Sequence, residues 1–192
     1  VTTGGTLGGT GFVPGTVISG GTLAPGDGPG NFGKLTVQGN LSFTPNSTYL
    51  VQVSPTAAAS TVVTGKATLN GATVAANFAP GSYMTNKYTI LTAQGGVSDT
   101  FASNVVTSNL SPLFKATLSY DLNDVFLNLS GNSNFVAANV NQGNVAKAII
   151  AASTQTGGIS GAFGLLSPAT FTQVSGETAV GTQQSTFSAM NQ

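Results

Sequence analysis

Asp121 and Asp124, in the segment "DLND", come closest to a catalytic pair in this 192-residue chain. Two carboxylates can cleave a glycosidic bond, one as acid and the other as base or nucleophile. These two lie between the alternating runs "LFKATLSY" and "VFLNLS". Asp at such a junction is expected to build a turn. The other acids fall in similar places: Asp27 in "GDGPG", Asp99 behind Gly95-Gly96 at a bend, and Glu177 behind Gly176, solvated or capping a helix. There is no His, so a Ser-His-Asp triad cannot form within this chain.

The other chemical motifs also fail. "VVTGKAT" at 62–68 suggests a phosphate loop, but that pattern needs Gly five residues before Gly65, where Ser60 stands. "GISGAFG" lacks the order of a nucleophile elbow at Ser160. No calcium-loop pattern occurs. Asn46 and Asn128 head N-x-S/T sequons. Tyr49, Tyr83, Tyr88 and Tyr120 could stack on sugars, but half-buried strand positions account for them. No catalytic, cofactor-binding or metal-binding residue is assigned, and no cofactor is expected.

Composition narrows the classes further. Five Lys balance five acids, and charged residues make up only 5% of the chain. Without a basic field, nucleic acid is not an expected partner. The absence of Cys removes disulfides and thiolate metal sites and suits export. The longest apolar run, Val145 to Ala152, is broken by Lys147 and is too short to span a bilayer. The chain begins at Val1 without a signal peptide and is expected to be a piece of a longer polypeptide.

The elements follow from period and punctuation. Leu35, Val37, Leu41 and Phe43 share a parity across a bend at Gly39. Tyr49, Val51 and Val53 alternate with Leu50 and Gln52, and Val63, Ala67, Leu69 and Val74 continue the pattern. "GGTLAPG" at 20–26 is echoed by "GNLSFTPN" at 39–46, which sets Leu23 and Leu41 18 residues apart. "GKATLNG" at 65–71 and "NFAPG" at 77–81 continue the echo. Short strands, Gly at bends and an irregular coil-length repeat predict a β-helix, a solenoid whose inward aliphatics stack and whose Thr, Ser and Asn face water. Residues 113–130 predict an antiparallel hairpin covering the last coil.

After residue 131 the period becomes helical. Val145, Ala148, Ile149 and Ala152 share a face, with Asn144 or Asn141 as N-cap. Ser167-Pro168 opens a second segment bearing Phe171 and Val174, and Val180, Phe187 and Met190 suggest a third. The middle piece "TQTGGISGAFG" is expected to be flexible. The division is therefore 1–130, coils and cap, and 131–192, a helical segment of weak intrinsic stability.

"GTLAPGDGPGNFGKLTVQGNLSFTPNSTYLVQV" followed by "YTILTAQGGVSDTFA" at 88–102 resembles the C-terminal part of autotransporter passengers, the type V secretion family. "NQGNVAKAI" at 141–149 and "PATFTQVSGETA" at 168–179 resemble the family's segment leading into its membrane barrel. The resemblance spans roughly residues 20–180 and rests on the order of degenerate motifs. The low charge of the first coils departs from it, and the barrel is expected to lie outside this chain. The resemblance implies a right-handed parallel β-helix ending in an autochaperone, or junction, region.

It further implies a non-enzymatic role in nucleating and templating passenger folding at the bacterial cell surface, tethered to the outer membrane in the full-length protein. The partners would be the chain's own upstream passenger coils, its own C-terminal outer-membrane β-barrel and host surface molecules. An adhesin module binding host protein or glycan is the alternative. Part of a β-helix enzyme acting on polysaccharide comes third, because ten charged residues without Arg supply little for acid/base work.

Overall fold

The computed structural model describes residues 1–26, 28, 30–132, 134, 136–137 and 140–152. The strands, in chain order, are β1 (Thr6–Gly9), β2 (Gly11–Ile18), β3 (Thr22–Pro25), β4 (Lys34–Phe43), β5 (Thr48–Val53), β6 (Ser60–Val63) and β7 (Ala67–Thr68). They continue as β8 (Thr73–Phe78), β9 (Asn86–Ala93), β10 (Val97–Ser98), β11 (Val106–Ser108), β12 (Phe114–Tyr120) and β13 (Asp124–Gly131). One helix, α1 (Val140–Ala152), follows. The protein is mainly β.

Two sheets divide the strands. The first runs β1-β3-β5-β8-β11, every pair parallel. In the second, β2, β4, β6 and β9 pair in parallel, and β7 and β10 extend the ladder beside β4. The chain therefore visits the two sheets alternately. Val13, Val37, Val63 and Ala93 lie in register on successive strands, at intervals of 24, 26 and 30 residues.

That register corrects the echo between Leu23 and Leu41. Leu23 pairs with Tyr49 in the first sheet, whereas Leu41 pairs with Ala67 in the second. The two echoed segments play the same local role, turn then strand, on different sheets. Parallel pairing needs a longer connection than one such unit supplies.

Alternation explains which side chains enter the core. Leu35, Val37, Leu41, Phe43, Tyr49, Val51, Val53, Val63, Ala67, Leu69 and Val74 are all buried, as their parity predicts. Outward positions carry hydroxyls in register, the clearest column being Thr6, Thr22, Thr48 and Thr73. At the core's centre, Tyr49 stacks on Phe101 at 5.6 Å and 8°, and Phe43 meets the pair edge-on at 5.9 Å and 5.5 Å. Offset and edge-on rings of this kind add to plain area burial.

One corner of the second sheet dictates glycine. β4 is long enough to pair with β6 through Lys34–Val37 and with β7 through Leu41–Ser42, so it must turn at Gly39, whose φ is +124°. Gly65 N–H donates to the Gly39 carbonyl and Gly95 N–H to that of Gly65, both at 2.9 Å. A Cβ at Gly65 would sit 2.7 Å from the Gly39 oxygen, and one at Gly95 would sit 2.7 Å from the Gly65 carbonyl carbon.

α1 begins at Val140, so Asn141 and Asn144 lie inside the helix and neither is the N-cap expected from the sequence. The helix packs Ala146 on Leu113, and Ile149 also reaches the main core. The helices expected at 167–176 and 180–190, the flexible piece at 154–164, Asp27, Ser160 and Glu177 lie outside the described residues.

Candidate functional site: the two ends of the ladder

The parallel ladder of the second sheet ends at β9, and a hairpin closes it. β13 pairs antiparallel with β9, and β12 pairs antiparallel with β13. The expected hairpin over 113–130 is therefore present as Phe114–Tyr120 and Asp124–Gly131. β13 is apolar on one face: Val125, Leu127 and Leu129 are buried against β9, with Leu127 opposite Tyr88 and Val125 opposite Leu91. On the other face Lys87 Nζ lies 3.5 Å from the centre of the Phe126 ring, a cation–π contact across the two strands.

The turn between β12 and β13 is where the sequence placed its only close carboxylates. Asp121 Oδ1 accepts the backbone N–H groups of Asn123 at 3.0 Å and Asp124 at 2.7 Å, an Asx turn. Asp124 accepts the hydroxyl of Thr92 on β9. Asn123 Nδ2 donates to the Ala93 carbonyl at 2.6 Å, and Val97 N–H donates to the Leu122 carbonyl at 2.9 Å. Both carboxylates are thus tied to turn geometry and to anchoring the hairpin on β9 and β10.

The tyrosines anchor the core. Tyr49, Tyr83 and Tyr88 are buried. Tyr49 Oη donates to the Ile90 carbonyl and lies 3.0 Å from Thr61 Oγ1. Tyr83 Oη reaches the Ala79 carbonyl at 2.7 Å, and Tyr88 Oη reaches that of Pro55 at 3.2 Å. Tyr120 Oη accepts the Phe101 N–H at 3.1 Å, which ties the hairpin to the ring that stacks on Tyr49. Burial pushes all four phenols above their ordinary range. For Tyr83 the neighbouring Tyr88 adds to the rise, while hydrogen bonds oppose it at Tyr49, Tyr88 and Tyr120.

The opposite end is built differently. β1 and β2 are the edge strands of their sheets. Val1 already lies along β2: its amino group donates to the Val17 carbonyl at 2.7 Å, and Ser19 N–H donates to the Val1 carbonyl at 2.7 Å. Phe12 is 74% exposed and Val17 58% exposed. Pro14 carries no N–H, and a register irregularity falls between it and Thr16.

Sequence reasoning missed the polar ladders. Asn109 Nδ2 donates to Asn77 Oδ1 at 3.0 Å, and Asn77 Nδ2 donates to Gln52 Oε1 at 2.9 Å, linking three successive strands of the first sheet or their ends. Ser47, buried in a turn, donates to the Ile18 carbonyl at 2.6 Å and accepts from Gly20 and Thr44. Only the register, which the sequence concealed, brings these groups together. An open groove of about 530 Å³ lies beside Gln52 and Asn77, over Gly8, Gly9, Ala24 and Gly26, and its described lining residues carry no charge.

Among the described residues no group of three His, Cys, Asp or Glu side chains could hold a metal, and no helix is long and apolar enough to cross a membrane. No protein-family model matches the chain, and no curated protein matches it.

Proposed function

We propose that this chain is a non-enzymatic folding and secretion module, the C-terminal passenger region of a type V autotransporter at the bacterial cell surface. In this reading the alternating parallel strands are coils of a right-handed β-helix, and the hairpin is its autochaperone cap. The observation that carries it is the switch from parallel to antiparallel pairing at β9. At the hairpin end, β13 takes up the free edge of β9 and pairs with it antiparallel, and β12 pairs antiparallel with β13. Before that point the pairings of β1 with β3, β2 with β4, β3 with β5, β4 with β6, β5 with β8 and β6 with β9 are all parallel.

A polar, one-way ladder suits a polymer that folds from one end as it emerges. Bringing distant strands together for the first time is slow, whereas adding a coil to an existing edge closes only a short loop. The upstream coils and the outer-membrane barrel of the same polypeptide are the partners this role requires.

The test is removal of residues 114–131 from the full-length polypeptide, with protease-resistant passenger measured at the cell surface. The proposal predicts a large loss of folded passenger while the barrel still inserts. Unchanged yield would contradict it.

A further inference from the structure

The chain contains one Asn-Gly dipeptide, Asn70-Gly71. It sits in the turn between β7 and β8, where Ala72 N–H donates to the Leu69 carbonyl at 3.0 Å. Both central residues are left-handed, with φ of 46° at Asn70 and 71° at Gly71. A type I′ turn demands this pair of conformations, and Asn-Gly adopts them at the least steric cost. The same dipeptide carries a chemical liability. A glycine nitrogen is the least hindered nucleophile a backbone offers to a preceding Asn side chain.

In the folded chain both reacting groups are held elsewhere. Gly71 N–H donates to the Thr100 carbonyl at 2.8 Å, and Asn70 Nδ2 donates to the Phe43 carbonyl at 2.8 Å. Both acceptors belong to segments far away in sequence, so these bonds exist only after the neighbouring strands have stacked. From this we infer that Asn70 is a modification site gated by folding, closed in the folded protein and open to deamidation in the unfolded chain.

The step is self-contained apart from water. The Gly71 nitrogen bonds to Asn70 Cγ, the Cγ–Nδ2 bond breaks, and Nδ2 leaves as ammonia carrying the Gly71 proton. Water then opens the cyclic imide at either carbonyl, giving Asp or isoaspartate at position 70. Either product replaces a donor facing the Phe43 carbonyl with a carboxylate, which sets two acceptors against each other. Isoaspartate also adds a backbone atom only a few residues before the Thr48–Thr73 and Tyr49–Val74 pairs, which must stay aligned for Val74 to remain buried. A chain that waits too long unfolded is thereby marked and refolds poorly.

The experiment incubates the chain at mildly alkaline pH, in buffer and in concentrated urea, and follows position 70 by peptide mass and isoaspartate detection. Asn40, exposed but followed by Leu41, is the internal control. Conversion at Asn70 is expected to be slower in buffer than in urea by at least about tenfold, the factor that a local opening of ~1.4 kcal/mol imposes. Converted chains, separated and refolded, are expected to unfold at lower denaturant than unconverted ones. Equal rates in buffer and urea, conversion at Asn40 ahead of Asn70, or an unchanged midpoint for converted chains would overturn the inference.

Discussion

Tyr49 concentrates several demands on one side chain. Its ring fills the centre of the core between Phe43 and Phe101, and its hydroxyl bonds the Ile90 carbonyl on another strand. Tyr49→Phe keeps the ring and removes the buried hydroxyl's bond to that carbonyl, so a loss of about 1–3 kcal/mol is expected from urea denaturation. Phe101→Ala removes a stacking ring and leaves a void, for a loss of about 3–5 kcal/mol by the same measurement. The phenols also set a pH limit. Burial raises the folded pKa of Tyr49, Tyr83, Tyr88 and Tyr120 above the unfolded value of about 10. The unfolded chain therefore loses these protons first. Their stabilising contribution is complete below pH ~10 and is lost as the pH climbs from there toward the raised folded values. Denaturation midpoints should fall steeply above that pH, and less steeply in Tyr49→Phe.

Among the elements, the glycine corner and the helix make opposite predictions for the same substitution. Gly65→Ala or Gly95→Ala drives a Cβ against backbone that has no flexible end to yield, so a loss of at least about 1–3 kcal/mol is expected. Gly143, inside α1, would place a Cβ 3.6 Å from that of Ala137, an ordinary contact. Gly143→Ala should stabilise the helix by about 0.5–1 kcal/mol, seen as greater amide protection in α1. The strands of residues 35–78 and the hairpin were legible in the sequence because each buries one face, and a period of two records that directly. Gly39 was legible as a bend because it interrupts a kept parity. The register was not legible. Leu23 and Leu41 look alike because turn followed by strand recurs along the chain, whereas partners are chosen by parallel pairing across 24 to 30 residues. The ladder from Gln52 through Asn77 to Asn109 stayed hidden for the same reason. The start of α1 was misplaced because Asn141 and Asn144 both offered cap chemistry, whereas the helix starts at Val140 and buries Gln142 in its first turn.

At the scale of the whole molecule, stability is expected to form a gradient along the ladder. β9 is flanked by β6 on one side and by β13 on the other, and the rings of Phe43, Tyr49 and Phe101 lie close to it through the Tyr49–Ile90 bond. β1 and β2 have a strand on one side and exposed Phe12 and Val17. If the chain nucleates folding as proposed, its hairpin end must hold together while the β1 and β2 edges open. Native-state hydrogen exchange measures this strand by strand. The prediction is slowest exchange in β8, β9 and β13, opening only with global unfolding, and progressively faster exchange toward β2 and β1. Uniform protection along the ladder, or greater protection in β1 and β2 than in β9 and β13, would contradict it.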